Sequence, residues 1–197
     1  MNKSTAYRRN LQWRRVAYVS TFCRLRRFGL QTFVLRVSCV GHDRRFVYRD
    51  MKEGDEGEMS ALIRRLFSKY IAHTYAPEGL AEFMKGAQPS ALLDRMKQGQ
   101  IVILAVSEGD IAGVIAVRNG HHISLLFVDE RFHQKGIAQA MVSMAHERAR
   151  AADPSIRDFT VNSSPYAVEF YEKLGFCATG PERMMRGMRI TPMRGAL

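Results

Sequence analysis

The chemically informative part of the sequence is an apolar run that passes through a short polar loop into a segment of small residues. It reads LFVDERFHQKGIA from Leu126 to Ala138. Gly136 has no side chain and Ala138 has a single methyl group, so consecutive backbone N–H groups there can come close to a ligand. The first turn of a helix also favours negative charge. The segment therefore predicts a binding site for a diphosphate.

Two common phosphate-binding patterns are missing from the sequence. It contains neither GxxxxGK[ST] nor GxGxxG, which excludes a Walker loop and a dinucleotide fingerprint. On its own, a strand followed by a loop and a Gly-x-Ala helix start is also compatible with a plain tight turn. A second element is needed to choose between the two interpretations.

That second element lies further along the chain. It reads NSSPYAVEFYEKLGF from Asn162 to Phe176. Ser and Pro are favoured at the start of a helix, and a glycine such as Gly175 is favoured just past its end. The segment predicts the end of a strand, a short helix that carries Tyr171, and a following strand.

Taken together and in this order, the two elements resemble the GCN5-related N-acetyltransferase (GNAT) family. In that family the first element is an Arg/Gln-x-x-Gly-x-Gly/Ala loop that binds the pyrophosphate of acetyl-CoA. The second element is Ala-x-x-x-Tyr-x-x-x-Gly-Phe, whose tyrosine lies near the thioester sulfur. The resemblance covers residues 46–194, including the order of strands and helices.

The resemblance implies which residues hold acetyl-CoA and which one acts on it. By this likeness, the end of the strand presents backbone groups to the pantetheine arm, and Tyr171 is the acid for the departing thiolate. No zinc-binding constellation is found in the sequence, so no metal is expected. The implied acetyl-CoA-binding residues are Phe127, Val128, His133, Gln134, Lys135, Gly136, Ile137, Ala138 and Asn162.

The implied role of Tyr171 is limited by its acidity. A tyrosine has a reference pKa of about 10 and a thiol one of about 8.5, so a complete proton transfer to the thiolate is uphill. A hydrogen bond that strengthens in the transition state is sufficient. A packed core aromatic is the alternative interpretation of this residue.

Two positions depart from the family pattern. His133 stands at the Arg/Gln position, and Ser164 stands where many members have Asn, although Asn162 lies two residues upstream. The loop works mainly through backbone N–H groups, so His133 is compatible with binding. We hypothesise that a protonated His133 assists phosphate binding below neutral pH.

The general base and the acceptor pocket are left open by the sequence. The candidate bases are His121, His122, Ser124, Glu130 and a chain of water molecules. Adjacent histidines on an extended strand place at most one ring inward. His73, Tyr75 and Phe83 are candidates for lining the acceptor pocket, and a role in the core or on the surface is equally compatible with them.

The function expected from the resemblance is transfer of the acetyl group of acetyl-CoA to a primary amine of a small molecule or peptide. The alternative is a catalytically weak domain of the same fold that binds acyl-CoA as a sensor or interaction module. A homodimer through the closing strands stays open, and no apolar run is long enough to span a membrane.

The elements that position these residues alternate between strand and helix. Short apolar strands and amphipathic helices predict a mixed α/β (α+β) fold with a largely antiparallel sheet flanked by helices. The tight-turn pair Asn119-Gly120 predicts a hairpin within a three-stranded meander. The predicted strands are 46–48, 101–106, 111–117, 122–128, 156–161 and those after 176, and the predicted helices are 56–73, from 77, 89–99, 136–150 and 166–174.

The charge of the chain is concentrated at its beginning. Residues 1–45 contain 11 of the 30 Lys and Arg residues but one of the 19 acidic residues, although the formal net charge of the whole chain is +11. Residues 46–197, the predicted acetyltransferase domain, are therefore nearly neutral. This balance argues against nucleic acid as a partner of the domain itself.

Residues 1–45 are predicted to be a basic N-terminal extension outside the fold. Three interpretations stay open: an arm for RNA or a membrane surface, a transit-type presequence, and an extension upstream of the true start. Three widely spaced cysteines, Cys23, Cys39 and Cys177, form neither a disulfide framework nor a metal knuckle. A reducing, cytoplasmic setting is the one expected from them.

Overall fold

The computed structural model describes residues 46–196. The basic segment 1–45, with Cys23 and Cys39, lies outside the described residues. Its predicted place outside the fold therefore stays a prediction.

The described residues form a mixed sheet with helices on both faces, as predicted. The strands follow the order β1-β2-β3-β4-β5-β8-β6, with β7 paired to β8, and β4–β5 is the parallel pair among antiparallel ones. The strands are β1 (Val47–Asp50), β2 (Ile101–Ser107), β3 (Asp110–Arg118), β4 (His122–Val128), β5 (Asp158–Ser163), β6 (Cys177–Ala178), β7 (Arg183–Met185) and β8 (Met188–Ala196). The helices are α1 (Glu56–Tyr70), α2 (Pro77–Gly86), α3 (Pro89–Lys97), α4 (Ile137–Ala152) and α5 (Val168–Lys173).

The first four strands form an antiparallel meander, one strand wider than the predicted three. The additional member is β1, which pairs with β2 along its whole length. The β3–β4 turn has positive φ angles at both central residues, 52° at Asn119 and 72° at Gly120. Such a turn matches the twist of two neighbouring strands, which is why this residue pair marks the hairpin in the sequence.

The sheet opens between β4 and β5. These strands pair at two register positions, His122 with Thr160 and Ile123 with Val161. Beyond them β5 continues to pair with β8 on its other side. Among the described residues, the backbone of residues 124–128 therefore has no strand partner on the side that faces β5. Backbone groups in this position are available to a ligand.

Two hydrophobic cores hold the sheet between its helix layers. On one face, α4 and α5 cover residues such as Ile115 and Phe159. On the other face, α1 and α3 cover residues such as Val114 and Leu104. Residues 111–117 of β3 are all buried, because the strand lies in the middle of the sheet and packs on both sides.

The helix boundaries differ from the predictions near prolines and in the first turn of α4. The predicted helix 56–73 ends at Tyr70 and is followed by a 3₁₀ turn at Ala72–Thr74, since the chain must become extended before Pro77. The predicted helix 166–174 is split into a 3₁₀ turn at Pro165–Ala167 and α5. Gly136 precedes α4 as its N-cap.

Candidate functional site

The loop after β4 is anchored by a buried carboxylate. Asp129 is 1% exposed and accepts a hydrogen bond from the backbone N–H of Arg131 at 2.9 Å. The Nη2 atom of Arg65 on α1 donates to the same carboxylate at 2.8 Å. Burial raises the pKa of Asp129, but the hydrogen bonds from Arg131 and the charge of Arg65 outweigh it and lower the pKa to about 2. The ionised carboxylate of Asp129 therefore ties the start of the loop to Arg65 of α1.

The loop then turns sharply into α4 through two left-handed residues. The φ angles are 61° at Gln134 and 75° at Gly136. The N-cap has no side chain to bond the helix, and the first helical bond runs from the Ala140 N–H to the Gly136 carbonyl oxygen. The N–H groups of residues 137–139 therefore have no acceptor within the helix. They are donors for an anion.

The space in front of this helix start is open. A Cβ atom built on Gly136 would meet nothing within 4 Å. Packing inside the protein therefore does not require a glycine at this position. The positive φ angle favours glycine, and the absence of a side chain leaves the helix start accessible to a ligand. An uncapped start of a 16-residue helix with free space before it fits the diphosphate of a co-substrate.

Basic side chains surround the same loop. The Nζ atom of Lys135 lies 5.2 Å from the ring centroid of Phe132, and the guanidinium of Arg131 lies 5.3 Å from it. His133 is exposed, and its Nε2 atom lies 2.9 Å from the carbonyl oxygen of Val128. Because a carbonyl oxygen only accepts, Nε2 carries the proton, and Nδ1 is the ring nitrogen left for a ligand.

The remaining residues implied in acetyl-CoA binding lie on both sides of the β4–β5 opening. Phe127 and Val128 end β4, and Phe127 packs towards Phe83 of α2 with 6.2 Å between ring centroids. Asn162 lies half-buried on β5. The side chains of β5 alternate, so Asn162 shares with Thr160 the face of the sheet opposite the buried Phe159.

Tyr171 belongs to the hydrophobic core on the α4–α5 face. It is 4% exposed, and its ring makes edge contacts with Phe170 and Phe176 at 5.3 Å. Burial raises its pKa above the ordinary value, so the hydroxyl stays protonated. Within residues 46–196, this hydroxyl has no hydrogen-bond partner. The structure thus describes Tyr171 as a core aromatic, and its role as the acid for the thiolate stays a prediction.

The candidate bases occupy different surroundings. His121 is exposed and its Nδ1 lies 2.8 Å from the Asn119 carbonyl oxygen. His122 is half-buried, and its Nδ1 lies 2.8 Å from the Thr160 hydroxyl oxygen. Burial, followed by the charges of Arg118 and His121, lowers the pKa of His122 to about 4. His122 is therefore a neutral imidazole at the point where β4 and β5 begin to separate.

Glu130 is held by two donors from α1. Lys69 Nζ donates to its carboxylate at 2.5 Å and the Tyr70 hydroxyl at 2.6 Å. These hydrogen bonds lower its pKa, which weakens it as a base. Ser124 donates to the Ala116 carbonyl oxygen at 3.2 Å.

Sequence reasoning missed an aromatic contact between α1 and the segment after β5. The rings of Tyr70 and Tyr166 are stacked with 4.9 Å between centroids and 25° between planes. Tyr70 also bonds Glu130, so it links the chain after β4 to the chain after β5. Neither tyrosine is a site candidate in the sequence, because no local signal connects residues so far apart in the chain.

The resemblance to the GNAT family implies an acceptor pocket built from the first helices and the closing strands, residues 56–98 and 177–194. These two segments meet where α2 begins. The N–H of Ala76 donates to the Gly187 carbonyl oxygen in the β7–β8 turn at 2.7 Å. A Cβ atom on Gly187 would lie 2.6 Å from the Gly79 nitrogen, so this approach requires glycine. Of the candidate lining residues, His73 is exposed, while Tyr75 and Phe83 pack with Phe67 in an aromatic cluster.

Two further findings concern metals and membranes. The described part of the chain holds no group of three or more His, Cys, Asp or Glu side chains placed to bind a metal ion. Within residues 46–196, no helix combines the length and the hydropathy needed to cross a membrane.

Comparison with known proteins agrees with this architecture. The family model described as "Acetyltransferase (GNAT) domain" matches residues 71–197, and the chain belongs to that family. It is an acetyltransferase whose co-substrate is acetyl-CoA, and the open helix start after Gly136 fits the diphosphate of that molecule.

Individual relatives are distant in sequence. An uncharacterised N-acetyltransferase from Escherichia coli (strain K12), YafP, is 21% identical over 136 residues, which cover 69% of this chain and 84% of that protein. A GCN5-related N-acetyltransferase from Rhodopseudomonas palustris superposes with a TM-score of 0.65 at 20% identity, over 77% of this chain and 95% of that one. The PaiA N-acetyltransferase from Thermoplasma acidophilum, solved with coenzyme A, gives 0.64 at 14% identity, over 77% and 99%.

Proposed function

We propose that the protein transfers the acetyl group of acetyl-CoA to a primary amine of a small molecule or peptide by direct attack on the thioester. The amine nitrogen forms the amide bond, the carbon–sulfur bond breaks, and the amine loses one proton while the sulfur leaves as thiolate or thiol. The observation that carries the proposal is the β4–β5 opening. It connects the helix start after Gly136 with the polar face that holds His122 and Thr160.

Residues on both sides of the opening would hold the co-substrate. The N–H groups at residues 134–138 are suited to the diphosphate, and the backbone groups that face β5 at the end of β4, around Phe127 and Val128, are suited to the pantetheine amides. The Val128 carbonyl oxygen is already engaged by His133, which leaves its N–H group for this role. Asn162 is a further candidate, because it is half-buried on β5 and directly follows Val161, the last residue of β5 that pairs with β4. Acetyl-CoA supplies an activated acyl group on a thiolate leaving group.

His122 is the proposed proton acceptor for the amine. Its Nδ1 is engaged by Thr160, so Nε2 is the ring nitrogen left for the substrate. A ring with a pKa of about 4 is neutral at pH 7 and can accept a proton, although it is a weak base. His122 belongs to one of the two residue pairs that join β4 to β5, and the opening begins two residues further along β4, at Ser124.

Tyr171 is the proposed hydrogen-bond donor to the departing sulfur. Burial raises its pKa, so it donates a hydrogen bond without giving up its proton. Its free hydroxyl is compatible with this role, because a donor without a partner gains most from a new acceptor.

The weakness of His122 as a base favours a second candidate. A domain that binds acyl-CoA and turns over slowly would tolerate a base with a pKa of about 4. In this case the opening would serve for binding alone.

The experiment that separates the two candidates measures acetyl-CoA binding by calorimetry and thiol release with a panel of primary amines. For an enzyme, we expect Tyr171→Phe to lower kcat by about 10–100-fold with an unchanged dissociation constant for acetyl-CoA. Tyr166→Phe is the matched control, because it removes an exposed hydroxyl and keeps the ring that stacks on Tyr70, and its kcat should match that of the wild type. If no amine increases thiol release in the wild type, the protein is the binding module.

A further inference from the structure

A half-buried arginine on α3 lies beside the β4–β5 opening without an anionic partner. The Nη1 atom of Arg95 is 3.4 Å from the hydroxyl oxygen of Ser124, the first residue of β4 beyond its pairing with β5. This long contact is the one hydrogen bond of the guanidinium within residues 46–196. The other end of the group, Nη2, lies next to Gly86 at the end of α2. The charge is thus enclosed between α2, α3 and β4.

No carboxylate within residues 46–196 compensates this charge. Arg95 takes part in none of the ion pairs formed by the described residues, and its pKa is lowered, first by burial and then by the charge of Arg118. A guanidinium that is partly removed from water normally has a carboxylate or phosphate partner, because removing a charge from water without one is unfavourable. The missing partner is the observation that requires an explanation.

A second cation and three polar groups face the same place. Arg118 is exposed at the end of β3, pairs in register with His122 of β4, and forms no ion pair within the described chain. Arg118 and His122 lie on the face of the sheet covered by α1 to α3, because their neighbours Val117 and Ile123 belong to the opposite core. Ser124 and Thr160 lie on the same face. All five side chains, including Arg95, carry a hydrogen-bond donor and none is an acid, although the Ser124 hydroxyl already donates to the Ala116 carbonyl oxygen. The cluster is therefore built for a small anion.

We infer that the acceptor of the acetyl group carries a carboxylate or a similar small anion, which Arg95 binds with the help of Arg118. This inference rests on the proposed transfer to an amine. His122 and Ser124 are two residues apart on one strand, a distance of about 7 Å. An amine at His122 and a carboxylate at Arg95 are therefore separated by only a few bonds, as in amino acids and short ω-amino acids.

The same cluster excludes another class of acceptors. A polyamine would bring additional positive charge next to two guanidinium groups, and like charges at close range repel. A bound carboxylate would also offset the charge of Arg118, one of the causes of the low pKa of His122, and would strengthen the proposed base.

The test compares amines that differ in charge alone. Thiol release is measured with glycine and glycinamide, with β-alanine and β-alaninamide, and with 4-aminobutyrate and its carboxamide, with spermidine as a polycation. We expect kcat/KM to be at least about tenfold higher for one of the carboxylates than for its amide, and spermidine to be a poor acceptor. Arg95→Gln should bring that ratio close to one by raising KM for the carboxylate, and Arg95→Lys should retain part of it. Arg64→Gln, an exposed arginine on α1, is the matched control.

A binding measurement makes the inference independent of turnover. The affinity for sulfate and for N-acetylglycine is measured by calorimetry in the presence of CoA, with acetamide as the neutral probe. If no amine is acetylated but Arg95→Gln abolishes binding of both anions, the anion site stands and the proposed transfer fails. If amines are acetylated without preference for carboxylates and Arg95→Gln changes neither ratio nor anion binding, the inference is overturned while the transfer stands. If neither acetylation nor Arg95-dependent anion binding is found, both are overturned.

Discussion

The Nε2 atom of His133 donates a hydrogen bond to the carbonyl oxygen of Val128 across 2.9 Å. The bond joins the loop that precedes α4 to the last residue of β4. These two segments are the ones proposed to hold the diphosphate and the pantetheine arm of acetyl-CoA. His133 thus holds together two parts of the proposed acetyl-CoA site.

His133→Ala should weaken acetyl-CoA binding through this lost connection. A net hydrogen bond contributes about 0.5–1.5 kcal/mol, which corresponds to an increase in the dissociation constant of about 2–10-fold. An Nε2–H group donates in both the neutral and the protonated ring, so we expect a similar factor at pH 6 and pH 8 in calorimetric titrations.

His121→Ala is the control for this substitution, because His121 also bonds a backbone carbonyl in a turn but lies at the other end of β4. Equal affinities of His133→Ala and the wild type would contradict the role of the bond. A loss of affinity confined to pH 6 would instead support direct phosphate contact by the protonated ring.

Gly136→Asn should block the start of α4 while leaving the protein folded. Asparagine tolerates positive φ better than other residues with side chains, and the open space before Gly136 accepts a side chain without a clash. The new side chain would occupy the place proposed for the diphosphate. We expect the dissociation constant for acetyl-CoA to rise at least about tenfold.

Gly99→Asn is an unusually close control, because Gly99 has a φ angle of 73° against 75° for Gly136 and also has nothing within 4 Å of a built Cβ atom. The two variants should have similar midpoints in urea unfolding. A similar affinity of both variants for acetyl-CoA would show that the diphosphate does not bind at the start of α4.

Local patterns explain why part of the site could be predicted from the sequence. The loop at 133–138, the tight turn at Asn119-Gly120 and the short helix with Tyr171 are each determined by residues close together in the chain. Turn chemistry, small residues and hydrophobic spacing are sufficient for such elements. The family resemblance itself rests on two of these local patterns.

The rest of the site depends on contacts between distant residues. The pairing of His122 with Thr160 joins positions 38 residues apart, and the contact of Arg95 with Ser124 joins positions 29 apart. The stacking of Tyr70 on Tyr166 spans an even longer separation. Such contacts are set by how the layers pack, which no spacing within one element encodes. The sequence therefore offers His122 as one of several candidate bases and contains no local signal that distinguishes it from the others.

His122→Gln should lower kcat by about 100-fold at neutral pH if His122 accepts the proton of the amine. The pKa of about 4 results from burial and from the charges of Arg118 and His121, and Arg95 lies on the same face. The ring is therefore neutral from about pH 5 upwards, and it loses its capacity to accept a proton as the pH falls through 4. The ratio of wild-type to variant kcat should be constant between pH 6 and 9 and should narrow below pH 5.

The corresponding control is His121→Gln, which changes the neighbouring exposed histidine. The ratio of the wild-type kcat to the kcat of this variant should be near one at neutral pH. A ratio that changes with a midpoint near pH 6.5 would show that the charges around His122 do not act on it as described. A ratio near one at all pH values would remove His122 from the mechanism in favour of Glu130 or water.

Gly187→Ala should destabilise the contact between the β7–β8 turn and the start of α2. The φ angle of Gly187 is 75°, and its Cβ atom would lie 2.6 Å from the backbone nitrogen of Gly79. Positive φ costs an alanine about 1–2 kcal/mol, and a clash with backbone adds about 1–3 kcal/mol. We expect the free energy of unfolding in urea to fall by about 2–5 kcal/mol.

Gly175→Ala separates the two contributions, because Gly175 has a φ angle of 87° but a Cβ atom there would meet nothing within 4 Å. It should lose only the conformational part, about 1–2 kcal/mol. The difference between the variants then measures the close approach of Gly187 to α2. Since this approach joins the two segments expected on the acceptor side, Gly187→Ala should also raise KM for the amine more than the dissociation constant for acetyl-CoA. Equal losses of stability in the two variants would mean that the turn moves away from α2 at no cost, and that this contact does not shape the acceptor side.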